Sequence, residues 1–144
     1  MQELDFEALS YVWGTNSSSH EIRLNGNIKL IRNNLWSALN QLRHANRPRT
    51  LWVDDLCIDQ ECTEERNHQV REMGQIYGSA STVLIWLGPG GEFSELAFNF
   101  IRTMIIDAEL GTGGEASRRM GIFWSAFKKL CLREYWERLW VIQE

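Results

Sequence analysis

The segment Ser81–Leu87 (STVLIWL) constrains this chain more than any other. It is rich in β-branched and apolar residues with no polar alternation, and Gly88-Pro89-Gly90-Gly91 stops it at once. A strand apolar on both faces needs cover on both faces. That need predicts a central parallel strand between two layers of helix. Helical patterns flank it as required. Thr63, with Glu65 and Arg66 after it, starts a helix whose buried stripe is Val70, Met73, Ile76 and Tyr77. Ser94–Leu110 carries Leu96, Phe100 and Ile101 at helical spacing.

The rest of the chain supplies further elements. Phe6–Trp13 (FEALSYVW) reads as a strand ending at Gly14, followed by a polar loop, Thr15–His20. Glu21–Leu24 and Ile28–Ile31 read as a hairpin, because the Asn25-Gly26 pair supplies the positive φ that a tight turn demands. Asn33 or Asn34 is placed to cap a helix with Leu35, Ala38, Leu39 and Leu42 on its apolar side, and Pro48 closes that region. Thr50–Val53 reads as a short buried strand running into Asp54-Asp55. Gly111–Gly114 breaks the chain, and Glu115–Glu144 reads as one broken helix or two short ones. Strands alternating with helices after the hairpin predict a mostly parallel α/β sheet. The 144 residues suit one domain, residues 1–144.

Charge and composition exclude several functions. The net charge is −4 and no long basic run is present, which argues against a nucleic-acid partner. The short basic cluster of Arg43, His44, Arg47 and Arg49 reads as a solvated helix end. No apolar stretch approaches the length of a membrane span. Three cysteines without an apolar leader predict reduced thiols and a cytoplasmic protein. Cys57, Cys62 and His68 match no zinc spacing, so no metal is expected there, and Cys57 reads as buried. Neither Gly111–Gly114 nor Gly88–Gly91 carries the Lys of a phosphate-binding loop.

Three places remain where chemistry is plausible. Asp54, Asp55 and Asp59 lie just past the carboxyl end of a predicted strand, where open α/β sheets bind ligands. They either contact a ligand or cap the following turn, and for Asp59 capping is favoured. Ser10-Tyr11-Val12-Trp13-Gly14 ends the first strand. Tyr11 and Trp13 point to one side, as core or as a stacking surface for a flat ring, and Gly14 lets the backbone turn. Seven Trp in one small chain fit either a thick core or an aromatic pocket. Finally, in Arg133–Glu144 (REYWERLWVIQE), Trp136, Trp140 and Glu144 fall at i, i+4 and i+8. A helix there would stack them on one face, either as an ordinary amphipathic helix or as a carboxylate poised beside aromatic rings.

Four ordered blocks carry a resemblance. Ala8–Gly14 (ALSYVWG), Leu51–Gln60 (LWVDDLCIDQ), Glu65–Gly88 and Arg133–Glu144 together resemble the heterokaryon-incompatibility (HET) domain of filamentous fungi. That resemblance implies a module triggering programmed cell death, in incompatibility or in innate-immune-like responses, often as part of a larger protein. HET domains in turn resemble TIR domains, which implies a TIR-like, flavodoxin-like sheet with an added N-terminal hairpin. Many TIR domains hydrolyse NAD⁺ with a Glu four residues after a Trp, a spacing that Trp140 and Glu144 reproduce. The resemblance thus implies NAD⁺ as substrate rather than as cofactor. Glu144 is the implied catalytic residue, and Ser10, Tyr11, Trp13, Gly14, Asp54 and Trp140 the substrate-binding ones. It further implies homo-oligomers on activation and an upstream sensor. The alternative is a non-catalytic self-association module acting through partners.

Overall fold

The computed structural model describes residues 5–15, 19–111 and 120–138. The chain divides into two compact units: Met1–Gly88 with Arg138–Glu144, and Pro89–Glu137.

The first unit is built on a parallel sheet. Its strands are β1 (Glu7–Tyr11), β4 (Leu51–Trp52) and β5 (Thr82–Trp86), in the order β4-β1-β5. Glu7 pairs with Leu51 on one side and with Thr82 on the other. Successive residues of β1 serve opposite faces, as the strand period requires. Leu9 and Tyr11 pack with Ile31, Leu35, Ala38 and Val53, so helix α1 (Asn33–Leu42) covers that face. Ala8 packs with Met73 and Tyr77 of helix α3 (Thr63–Ser79), which covers the other. Tyr77 also donates its hydroxyl to the Leu9 carbonyl at 3.2 Å, tying helix to central strand. The chain is therefore α/β, with a parallel sheet between helices.

The antiparallel hairpin is present as β2 (Ser19–Leu24) and β3 (Asn27–Arg32). Asn25 at φ 51° and Gly26 at φ 83° form its two-residue turn. Both positive values match the right-handed twist of the flanking strands, which is why Asn-Gly is favoured there.

Two expectations are corrected. The apolar run around Thr82–Trp86 is not the central strand: β1 is, and β5 lies at one edge of the described sheet, with Ile85 53% exposed. A strand whose apolar residues are only half covered gives the same sequence signature as a fully covered one. Helix α1 is not capped by an Asn side chain either. Arg32 occupies the cap position without a side-chain bond, because both asparagines are engaged elsewhere. Asn33 Oδ1 meets the His20 ring at 2.9 Å. Asn34 spans β1 and β5, donating to the Val12 carbonyl at 2.5 Å and accepting from Trp86 Nε1 at 2.9 Å.

The second unit is a helix pair, α4 (Ser94–Leu110) and α5 (Met120–Cys131), followed by a 3-10 turn at Glu134–Glu137. Phe100 of α4 sits among Phe123, Trp124 and Phe127 of α5, with ring centroids 5.8 to 6.5 Å apart. Gly111 ends α4 in the left-handed conformation, φ 66°, where a side chain would be strained.

Candidate functional site

The site forms where β1 and β4 end. Parallel strands leave their carboxyl ends together, and the chain must turn away from both, so a crevice opens between the departing loops. Here it is a cleft of about 360 Å³ lined by Val12, Trp13, Asp54, Ile58, Gln60, Val70, Met73 and Arg138. The volume falls within the usual range for small-molecule pockets, about 300–1,000 Å³.

Trp13 forms one wall, and it is fixed at two points. Its indole Nε1 donates to Asp54 Oδ2 at 2.8 Å. The Arg32 guanidinium lies over its ring, 4.6 Å from the centroid, a cation–π contact. Gly14 follows at φ 71°. A Cβ there would meet only Asn34 Cβ at 3.7 Å, ordinary contact, so the glycine serves the left-handed turn and not a close approach.

Asp54 opens the short helix α2 (Asp54–Cys57) directly after β4. Its Oδ1 accepts the Asp55 amide at 2.7 Å, while its main-chain carbonyl accepts the Gln60 side-chain amide at 3.1 Å. Burial lifts its carboxyl above the ordinary value. The Trp13 and Asp55 donors and the nearby Arg138 charge oppose that shift without cancelling it. Tyr11 is 2% exposed in the core. Burial first, then the charges of Asp54 and Asp55, push its hydroxyl far above the usual phenol value, so it stays protonated. A side-chain hydrogen bond to Asp54 contributes as well. Lys29 of the hairpin donates to the Asp55 carbonyl and ties α2 down. Ser10 is completely buried on the α3 face of β1, and its hydroxyl accepts from Arg138 Nη1 at 3.0 Å.

The structure thus brings Ser10, Tyr11, Trp13, Gly14 and Asp54 into one neighbourhood. Tyr11 belongs to the core and Trp13 to the cleft wall. Trp140 and Glu144 lie outside the described residues. Of the predicted aromatic stripe only Trp136 is described. It follows a 3-10 turn instead of an α-helix and donates Nε1 to the Leu130 carbonyl at 2.9 Å. Asp59 caps its own turn, accepting the Glu61 amide at 3.0 Å. Arg32, Gln60 and Arg138 were not foreseen; a lone Arg in a charged amphipathic stretch carries no sequence signal of a cleft.

Two other expectations are corrected. Cys57 is exposed, not buried, because α2 turns it outward; its Sγ accepts the Val53 amide at 3.5 Å. The basic cluster is not simply a solvated helix end. Arg49 makes a two-pronged ion pair with Glu7 and donates to the Leu42 carbonyl at 2.7 Å. That pairing holds the Glu7 carboxyl below the usual range. No group of three or more His, Cys, Asp or Glu among the described residues could hold a metal ion. No helix among them is long and apolar enough to cross a membrane.

The family model for the heterokaryon incompatibility protein (HET) matches residues 6–144. Heterokaryon incompatibility protein 6, OR allele, of Neurospora crassa is 39% identical over 117 residues, covering 72% of this chain. The chain spans only 16% of that relative's length. No solved structure matches the chain. The matched residues include every element that builds the cleft, from β1 to Arg138, and the chain belongs to the heterokaryon incompatibility (HET) family.

Proposed function

We propose that this HET domain promotes cell death in incompatibility or innate-immune-like responses by hydrolysing NAD⁺ at the nicotinamide–ribose bond. The observation that carries this reading is the cleft at the carboxyl ends of β1 and β4, walled by a tryptophan whose edge and one face are held by Asp54 and Arg32. A fixed indole is a stacking surface for a flat ring at little entropic cost. The TIR-like resemblance supplies the reaction. The C–N bond breaks with its electron pair going to nicotinamide, which leaves neutral, so no general acid is required. Water adds to the ribose carbon and gives up its proton. The demand on the protein is to stabilise an oxocarbenium-like ribose, which one preorganised carboxylate can meet. Glu144 is the candidate for that role. Ser10, Trp13, Gly14, Asp54 and Trp140 are the candidates for binding, with Tyr11 acting through Asp54.

Incubating concentrated protein with NAD⁺ and following nicotinamide release tests the reading. Glu144→Gln is expected to lower turnover by about a hundredfold or more, the scale of losing one preorganised electrostatic group, and to remove toxicity on expression. Unchanged turnover and toxicity in that variant defeat the mechanism.

A second reading is a non-catalytic module that self-associates and acts through partners. The observation in its favour is in the helix pair, where Ile105, Ile106, Ile122 and Trp124 are each 45 to 59% exposed. Apolar exposure on this scale suits a contact surface. Oligomers by light scattering, with no nicotinamide released, favour it.

A further inference from the structure

We propose that Gln60 is a specificity-determining residue of the cleft: its side-chain carbonyl oxygen accepts an N–H from the bound ring, so the cleft selects heteroaromatic rings that carry an exocyclic amine or carboxamide. This rests on the reading of the cleft as a nucleotide site and adds what discriminates within it.

Gln60 stands between α2 and α3 and lines the cleft. Two bonds hold it. Its main-chain carbonyl accepts from Arg66 Nη1 at 3.4 Å, and its Nε2 donates to the Asp54 carbonyl at 3.1 Å. The second bond settles which branch of the amide is oxygen. A main-chain carbonyl can only accept, so the NH₂ group must face Asp54 and Oε1 takes the other branch of the amide plane. Among the described residues Oε1 has no protein partner. The other polar side chains of the lining are engaged. Trp13 Nε1 donates to Asp54 Oδ2, Asp54 Oδ1 accepts the Asp55 amide, and Arg138 bonds to Ser10. What the cleft has left to offer is a neutral, directional acceptor.

The rest of the lining decides what that acceptor meets. Val12, Ile58, Val70 and Met73 are apolar and Trp13 is aromatic, which suits a flat ring. Trp13 and Gln60 hang from one residue, the indole on the Asp54 carboxylate and the amide on the Asp54 carbonyl. Asp54 therefore sets the indole and the amide relative to each other, and an acceptor at a set offset from a planar surface reads the edge of a ring lying on that surface. A ring entering the cleft displaces the water that an open acceptor holds. A ring with an exocyclic N–H restores the bond. A ring with only C–H or acceptor atoms leaves Oε1 unpaired, and that penalty is the source of selectivity.

Nuclear magnetic resonance titration of the 144-residue chain, following the Trp13 indole N–H, tests the proposal. The ligands come in two pairs. Adenosine monophosphate is set against purine riboside monophosphate, which has hydrogen in place of the amine. Nicotinamide is set against 3-acetylpyridine, which has methyl in place of the amide NH₂. None of the four contains the bond that the proposed hydrolysis breaks, so binding is read apart from turnover, and the pair that discriminates tells which ring the amide reads. In that pair the N–H-bearing member should bind about tenfold tighter, the scale of one unpaired acceptor. Gln60→Leu should weaken that member alone and bring the two within about twofold. The Asp54 carbonyl keeps the Ile58 amide in this variant, so the turn has a second support. Thermal unfolding establishes that the variant is folded; if it is not, Gln60→Met, close in shape, serves. A purely structural Gln60 weakens both members equally, and that result overturns the proposal. So does a parent chain that discriminates in neither pair, or that binds none of the four. Discrimination without nicotinamide release from NAD⁺ keeps the proposal and removes the hydrolysis reading. Release by a chain indifferent to the N–H does the reverse.

Discussion

The two ends of the parallel sheet each hold a buried or half-buried carboxylate, and the two are treated oppositely. At the amino end, Glu7 meets the Arg49 guanidinium, an opposite charge in two-pronged contact, and its carboxyl is held below the usual range. At the carboxyl end, Asp54 is surrounded mainly by neutral donors, and burial lifts its carboxyl above the usual range. The amino end also borders a groove, with Asp5, Glu7, His44, Arg47 and Arg49 among its residues, where opposite charges neutralise one another. The carboxyl-end cleft is mostly apolar, with one arginine on its wall. The contrast separates a strut from a site. A carboxylate matched by its own counter-ion consolidates the fold and has nothing left to offer. A carboxylate matched by neutral donors organises those donors, and here what it organises is the wall of a cleft.

The largest test of this contrast is Asp54→Leu. It strands the part-buried Trp13 indole N–H and removes the acceptor of the Asp55 amide, so urea unfolding should show a loss of about 2–4 kcal/mol. Asp54→Asn keeps one acceptor and should cost about 1 kcal/mol. If the Trp13 indole N–H exchanges with solvent equally fast in the parent and in both variants, Asp54 does not position it.

Arg49→Met comes next, with an expected loss of about 2 kcal/mol, because it leaves Glu7 without its ion partner at a largely covered position. Affinity for ADP-ribose should not move. A drop in affinity would mean that the two ends are coupled through β1 and that the amino end is more than a strut.

The smallest effect is on acid stability, and its sign differs at the two ends. Glu7 has a lowered folded value, so the unfolded chain takes up its proton first. The stability from this pair is present above the ordinary value of 4.5 and is lost as pH falls through the folded value. Asp54 has a raised folded value, so the folded chain takes up the proton first. Protonation between that value and the ordinary 3.8 therefore stabilises. Melting temperatures between neutral pH and about pH 3 should show Glu7→Gln removing a loss and Asp54→Asn removing a gain. Parallel profiles for the two variants would erase the contrast.

What was legible in the sequence was mostly local. Asn25-Gly26 announced its hairpin, and the periodicities after Thr63 and Ser94 gave α3 and α4 because helix and turn signals are carried by near neighbours. The four motif blocks gave the family. What escaped was long-range. Nothing near Arg49 shows that it meets Glu7, 42 positions away, and nothing near Arg138 shows that it reaches Ser10, 128 positions away. The rank of the strands was misjudged for a related reason. Apolarity reports how much of a strand is covered on average and not which strand has neighbours on both sides. At Trp136 the backbone tightens to a 3-10 turn, a local choice that i, i+4 spacing does not report; the rest of that stripe lies outside the described residues.

Tying the central strand to partners this distant has a consequence for how the chain acquires its shape. β1 precedes both of its partners in the chain, and they begin only at Leu51 and Thr82. The hairpin closes from adjacent residues and is free to form early. The sheet must wait until most of the first unit exists, and closing such long loops is slow. Until then Glu7–Tyr11 is an unpaired, mostly apolar strand, with both edges open to the wrong partner. The cleft therefore cannot be complete before that strand is enclosed, since its walls come from chain segments that meet there.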